Sequence, residues 1–394
     1  MAIILFDDVA HQTLLPLTYT RPVANLRLGI LTIAEKWGRW LKSDFSFHTQ
    51  PYLQTKFPLV AAVENIFING AICPDKDLAE AIDKLQTGEA LKAGDKLLAV
   101  KLSAADAAGF KFDAVYDRVI SYEKLFINIR KPEDIFRLNA IELQKDFDLI
   151  TAGHTSAVMS STNTIIGDRF FAEEGAVAEC CTFSTLNGPI YLAANTEVWE
   201  GTNIRGGFAL CENSQVKMGT KVYGATTIGP HSRVGGEINN AVIWGYTSKG
   251  HEGYLGNSVL GEWCNIGADS NNSNLKNNYA EVKLWDYPTQ RFRKTGLQFC
   301  GLIMADHAKC GINTMFNTGT VVGVSANVFG AGYPPNYVAD FSWGGAEGFQ
   351  TYQLDKALET TERVFARKDD RVYNEVEKDI LKKVFELTEG YRPF

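Results

Sequence analysis

Residues 192–238 read LAANTEVWEGTNIRGGFALCENSQVKMGTKVYGATTIGPHSRVGGEI, and every sixth position from the start is aliphatic: Leu192, Val198, Ile204, Leu210, Val216, Val222, Ile228 and Val234. Four residues after each stand Thr196, Thr202, Phe208, Ser214, Thr220, Thr226, Ser232 and Ile238, mostly hydroxyl side chains. A beat of six fits neither the 3.6-residue helix nor the alternation of a simple strand. It fits a short strand plus a turn, repeated: the aliphatic residue faces a narrow core, and the small one eases a corner. Three such units close a triangular coil, and stacked coils bury a continuous apolar column. Gly167, Gly229, Gly235, Gly267, Gly311 and Gly323 each follow a core position, where a tight bend suits glycine.

The beat extends both ways. Ile166, Ala172 and Ala178 open the array, and Met304, Cys310, Phe316, Val322 and Val328 resume it in a second phase. Two stretches interrupt it, 239–254 and 268–301. The second is polar and carries Lys276, Lys283, Arg291, Arg293 and Lys294; a solvated loop and a binding loop fit its composition equally. Over residues 155–345 the pattern resembles the left-handed β-helix of the hexapeptide acyltransferases. That resemblance implies a homotrimer with active sites between neighbouring subunits.

Between the interruptions lies SKGHEGYLGNSVLGEWCNIGADSNNSN, from Ser248 to Asn274. It resembles the acetyl-transfer segment of the GlmU family, S-K-x-G-H-x-x-Y-L-G-x-x-x-[IL]-G-x-x-x-N-I-G-A, with one residue missing before Gly250. The resemblance implies that His251 is the catalytic base and that Tyr254, Asn265 and Asn274 hold an amino-sugar phosphate. The residue types suit this chemistry: a base that titrates near neutrality takes a proton from an amine attacking a thioester, here of acetyl-CoA. Tyr and Asn supply hydrogen bonds without charge. The family's lysine pair ahead of its histidine is here Asn239 and Asn240; either Arg233 or Arg205 replaces that charge or the phosphate is held differently, with Lys276 a further substrate-binding candidate.

The first 154 residues read as mixed α/β, with MAIILF, AVENIFINGAI and GDKLLAVKL as strands and DKDLAEAIDKLQTGE and PEDIFRLNAIELQKDFDLI as helices. Alternation of the two suggests parallel pairing. LLPLTYTRPVANLRLGILTIAEKW resembles the opening of the sugar-phosphate nucleotidyltransferases through Leu15, Pro16, Leu17, Thr18, Arg21, Pro22 and Gly29. Their glycine-rich phosphate loop is replaced by FDDVAHQTL. The resemblance implies that Thr18, Arg21 and Arg27 bear on a nucleoside triphosphate. Asp7 and Asp8 would repel it unless they bind Mg2+.

At 394 residues, 45% hydrophobic and 22% charged, the chain has room for two globular domains. A net charge of −7 without a basic stripe excludes nucleic acid as a partner. Seven cysteines, an odd number without a C-x-x-C pair, argue against a disulfide framework or structural zinc. Neither a signal peptide nor a membrane span is expected, so the cytoplasm is the expected compartment.

The expected organisation is a nucleotidyltransferase-like α/β domain (1–154), a left-handed parallel β-helix acyltransferase domain (155–345) and a helical tail (346–394). Taken together this resembles a divergent bacterial GlmU-type family. It implies a glucosamine-1-phosphate N-acetyltransferase joined to an N-acetylglucosamine-1-phosphate uridylyltransferase, acting on sugar phosphate, nucleoside triphosphate and acetyl-CoA. Two alternatives remain open: a single-activity hexose-1-phosphate nucleotidyltransferase whose β-helix serves assembly, and a non-catalytic scaffold.

Overall fold

A computed structural model describes residues 1–368, 371–392 and 394. By internal contact the chain divides into two compact units, Met1–Leu26 with Leu31–Lys131, and Arg27–Ile30 with Pro132–Phe394.

The first unit is built on a six-stranded sheet. In spatial order its strands are Phe45–His48, Ala2–Phe6, Glu64–Asn69, Lys96–Ser103, Glu89–Ala93 and Arg118–Ser121. The first three pair in parallel, as expected; Lys96–Ser103 runs antiparallel to both its neighbours. The sequence read Lys96–Ser103 as a lone strand. It is the second arm of a hairpin that turns at Gly94, whose φ of 57° is easy only for glycine or a few polar residues. Ile3, Ile4, Leu5 and Phe6 are all buried, the unbroken apolar run of a strand covered on both faces. Helix Ile33–Leu41 starts on a capping box: Thr32 Oγ1 accepts from the Glu35 amide (3.2 Å) and Glu35 Oε2 from the Thr32 amide (2.6 Å).

The second unit is a parallel β-helix. Its strands stack into three faces of parallel ladders. The first face runs from Phe170–Ala172 to Tyr337–Val338, and the second from Val177–Ala178 to Gly348–Thr351. The third runs from Thr164–Ile166 to Tyr254–Gly256. Leu192 through Val234, the eight aliphatic residues of the beat, are each 2% exposed or less. Ladder register aligns them coil upon coil, for example Leu192, Leu210, Ile228, Ile243 and Leu260. The glycines after core positions sit where coils touch: a Cβ on Gly267 would lie 2.4 Å from the Gly311 carbonyl carbon.

Two expectations need correction. Ile166 is 41% exposed: Ile165 aligns with core Phe183, so Ile166 points outward. The stretch 239–254 is no interruption, because Glu237–Asn239, Val242–Ile243, Ser248–Lys249 and Tyr254–Gly256 all remain in the ladders. The beat slips there only because corners shorten, with just Gly235 and Gly236 between Val234 and Glu237. Helix Asp134–Thr151, which the sequence places ahead of the boundary at 154, packs with the second unit. Its buried face is partly polar: Asn139 donates to the Ala225 carbonyl (2.8 Å) and accepts from the Gly29 amide (2.6 Å), while Asp146 accepts from the Ile30 amide (2.7 Å). Amphipathic spacing says that a face is covered, not by what. In the tail helices Leu354–Phe365 and Glu375–Leu387 the buried stripe is Ala357, Thr361 and Phe365 in the first, with Leu354, Leu358 and Val364 only half-buried. In the second it is Ile380, Leu381 and Val384, with Leu387 exposed.

One corner of each coil is a residue with left-handed backbone, including Asn195, Asn213, His231, Tyr246, Trp263, His307, Ser325 and Phe341. Bulky side chains are uncommon there. Here the rings stack on one another, His231 on Tyr246 (centroids 4.7 Å), Tyr246 on Trp263 (4.2 Å), and Phe365 of the first tail helix on Trp263 (4.0 Å). His231 and His307 therefore belong to a structural ladder that seats the tail.

The long insertion leaves the coil after Asn271–Asn272 and rejoins it at Ile303–Met304. Within it Lys283–Asp286 and Arg291–Lys294 form an antiparallel hairpin. Arg293 pins this hairpin by a two-bond pair with Glu133 (2.6 Å each) and by Asp286 at 3.3 Å.

Candidate active site

His251 lies on the four-residue corner Gly250–Gly253, which joins second-face strand Ser248–Lys249 to third-face strand Tyr254–Gly256, and its side chain is exposed. Tyr254 follows directly on the third face. Its hydroxyl accepts from Asn274 Nδ2 (2.9 Å) and lies 3.4 Å from Asn239 Nδ2, and Asn274 also donates to Asn257 Oδ1 (2.7 Å). Glu237, the ladder partner of Tyr254, accepts from the Tyr223 hydroxyl at 2.5 Å. That bond and burial push the Tyr223 phenol well above its ordinary value. The result is a patch of amides, phenols and one carboxylate beside the histidine, a surface fit for sugar hydroxyls and an amine.

Tyr254 and Asn274 are thus brought together as the sequence suggested. Arg233 and Asn265 are not: they point outward from the second face, each a ladder partner of Ser248, and Asn265 also faces Lys309. The His251 corner separates these residues from the Tyr254 patch. Lys276 donates to the Glu281 carbonyl within the insertion (3.0 Å). Sequence reasoning missed Tyr223, Glu237 and Asn257, and it read Asn239 only as a lost charge. A signal existed for two of them, since Tyr223 and Glu237 flank the core residues Val222 and Ile238 and must point outward.

It also missed Lys249. This lysine stands at an inward position of the second face, aligned with Val234, and is 1% exposed. Its ammonium donates to the Gly235 carbonyl (2.9 Å) and to the carbonyl of His251 itself (2.7 Å). Burial pulls its pKa down to about 8.

In the first unit, Thr18 is fully buried and donates to the His11 carbonyl (2.6 Å); Arg21 is 5% exposed and donates to Asn25 (3.4 Å). Arg27 falls in the second unit, half-buried, its guanidinium bonded to the Ile30 carbonyl and 3.8 Å from Cys211 Sγ. Asp7 accepts from the Val23 amide (2.8 Å) and Thr49 (2.6 Å), and burial drives its pKa up to about 7. Asp8 accepts from Lys96 (2.7 Å), Asn69 (2.8 Å) and the Ala10 amide (2.8 Å). A Mg2+ ion prefers charged oxygens free to face it. Asp8 is ion-paired with Lys96 and Asp7 is engaged by Thr49 and the Val23 amide, so Mg2+ binding at this pair requires those bonds to be exchanged. Their oxygens brace the glycine-free loop. No group of three or more His, Cys, Asp or Glu side chains among the described residues is arranged to hold a metal ion.

Comparison with known proteins adds the following. Residues 3–155 match the family described as sugar nucleotidyl transferase, so the N-terminal region carries a domain of a transferase family. Its end lies beside the sequence boundary at 154, not the packing boundary at 131. The chain is 32% identical over 87 residues to the bifunctional protein GlmU of Methanocaldococcus jannaschii, 22% of this chain and 21% of the relative. It is 32% identical over 97 residues to that of Methanococcus maripaludis, 24% and 22% respectively. The matches thus span about a fifth of these curated relatives. Both are archaeal and lend no support to the bacterial label of the resemblance. Among solved structures, the N-acyltransferase AntD from Bacillus cereus, in complex with dTDP and coenzyme A, is 12% identical with a TM-score of 0.24, over 52% of this chain and 91% of that one. No helix among the described residues is long and apolar enough to cross a membrane.

Proposed function

We propose that this chain, a divergent GlmU-like protein with a sugar nucleotidyl transferase domain ahead of a hexapeptide β-helix, transfers an acetyl group from acetyl-CoA to the amine of glucosamine 1-phosphate. The N-terminal domain then joins the N-acetylated sugar phosphate to a uridylyl group. The observation that carries the reading is the exposed His251 beside the Tyr254–Asn274 patch. The sugar amine attacks the thioester carbonyl, the C–N bond forms, and His251 takes the amine proton. The C–S bond then breaks, and the CoA thiolate leaves and is protonated. Tyr254, Asn274 and Asn239 orient the sugar, which confines the amine near the base.

Arg233 and Asn265 enter this reading through a second copy of the chain. They lie on a different face from Tyr254, so a site that uses both sets draws them from neighbouring subunits of a homotrimer. The reading also places the protein in the cytoplasm, with acetyl-CoA and nucleoside triphosphate. One observation favours a second reading, a nucleotidyltransferase whose β-helix only assembles it: the family match covers the N-terminal domain and no more.

The test is direct. Purified protein is assayed for CoA release with glucosamine 1-phosphate and acetyl-CoA, and separately for diphosphate release from UTP with N-acetylglucosamine 1-phosphate. His251→Ala is expected to lower the first at least 100-fold and leave the second within twofold. Absence of CoA release by the wild-type protein would overturn the acetyltransferase reading.

A further inference from the structure

The second-to-third-face corners of the β-helix follow a rule. The corner's last residue is a hydroxyl side chain, or in the first corner the Cys181 thiol, that donates to the carbonyl of a corner's first residue; Cys181 Sγ lies 3.2 Å from both Glu179 O and Trp199 O. Thr202 and Thr220 both donate to Lys217 O (3.1 and 2.5 Å), and Ser270 and Thr314 both donate to Gly311 O (3.0 and 2.9 Å). Two successive corners break the rule. Gly235–Gly236 has lost two residues and its hydroxyl, and the His251 corner ends on Gly253, which has none. Gly253 admits no larger side chain, since a Cβ there would meet the Ser270 carbonyl oxygen at 2.1 Å.

Lys249 stands between these two corners. Aligned core positions above and below it are Val198, Val216, Val234, Cys310 and Val328. Burying an ammonium where an aliphatic group would fit is costly unless its hydrogen bonds are needed. Its ammonium donates to two main-chain carbonyls, one on each rule-breaking corner: Gly235 O and His251 O. A small void beside it is lined by Tyr254, Asn271 and Asn272, which hold the next strand: Asn271 Oδ1 accepts from the Tyr254 amide (2.7 Å) and Asn272 Oδ1 from the Gly256 amide (2.9 Å).

We infer that Lys249 is the positioning residue of the acetyl-transfer site: it supplies from inside the prism the donors that these corners lack, and so fixes the backbone that carries His251. The inference rests on the reading of His251 as the base. The charged and titratable groups near Lys249 are Glu252 on the same corner, Asp269 on the next, and the Cys310 thiol in the column.

The experiment uses the full-length protein and two substitutions. Lys249→Met fills the same volume with an apolar chain and suits the column; Lys249→Gln keeps two N–H donors without charge. Peptide-level hydrogen exchange over residues 249–256 is expected to speed up at least tenfold in Lys249→Met, with no change in peptides around Val198 and Val216. In the same variant kcat for acetyl transfer falls at least tenfold, while KM for acetyl-CoA stays within threefold. Lys249→Gln lies between Met and wild type in both. A role confined to stability predicts instead a lower melting temperature with unchanged kcat per folded molecule. Unchanged exchange over 249–256, or a kcat within twofold of wild type, overturns the inference. If exchange rises but wild-type protein transfers no acetyl group, the anchoring stands and the catalytic reading of His251 alone has failed.

Discussion

Asp7 and Lys249 are both buried ionisable residues, and their pH dependences run in opposite windows. Folding raises Asp7 from 3.8 to about 7, so across that window the native state keeps a proton that the unfolded chain has released. The stability this contributes is present at acid pH and lost as pH rises through 7. Asp7→Asn is therefore expected to melt higher than wild type at pH 8, with the advantage gone near pH 4, as read by thermal denaturation. Lys249 falls from 10.5 to about 8, so above pH 8 the unfolded chain holds the extra proton and stability rises with pH up to 10.5. The stability of wild type relative to Lys249→Met should climb over that range by a few kcal/mol, on the order of 1.4 per pKa unit. A flat difference would mean that the ammonium is better solvated than its burial indicates. The identities of Tyr254 and Asn274 were legible as candidates because they sit in a long motif. Lys249 was equally visible in that motif, but its inward direction depends on the shortened Gly235–Gly236 corner one coil earlier, which no single position records.

The coil is the element that repeats, and its energetics repeat with it. Each core residue touches those one coil above and below, so deleting one leaves a cavity the stiff ladder cannot close. Ile228→Ala should cost about 2–5 kcal/mol by urea denaturation. The inserted hairpin is held differently, by charge. Arg293 is one-fifth exposed while Glu133 is almost buried. Arg293→Ala would strand the Glu133 carboxylate, an expected loss of about 3 kcal/mol, and limited proteolysis should then cut within 276–296 first. Composition left that insertion open between solvated loop and binding loop because charge counts do not say which arginine finds a buried acid. The coil itself was readable because a strand of two or three residues leaves its side chain little choice of direction. Where corners shortened, between Val234 and Ile243, the beat faltered and the reading took continuous coil for a break.

At the scale of the molecule, the tail lies along the array, with Phe365 against the ring ladder at Trp263 in its middle, and reaches the last coil where Phe385 packs on Phe341. Trp263→Ala should release the tail helices, seen as faster hydrogen exchange across 354–387 without loss of the ladders. The two sets of candidate site residues on different faces make assembly a measurable matter. Light scattering is expected to give about three times the chain mass of 43.6 kDa. A monomer that still transfers acetyl groups would remove the shared-site proposal.

The order of residues along the chain was enough to specify the prism, because its periodicity is local: each short strand needs only its own inward aliphatic group and the next turn. It was enough, too, to nominate His251 as a candidate base. Packing across distant positions settled the rest. It assigned helix Asp134–Thr151 to the β-helix unit through Asn139 and Asp146, engaged Asp7 and Asp8 in bracing a loop, and turned Lys249 inward beneath the histidine. Each of those outcomes depends on which donor meets which acceptor after the coils have closed, a relation between residues far apart in the chain or on successive coils.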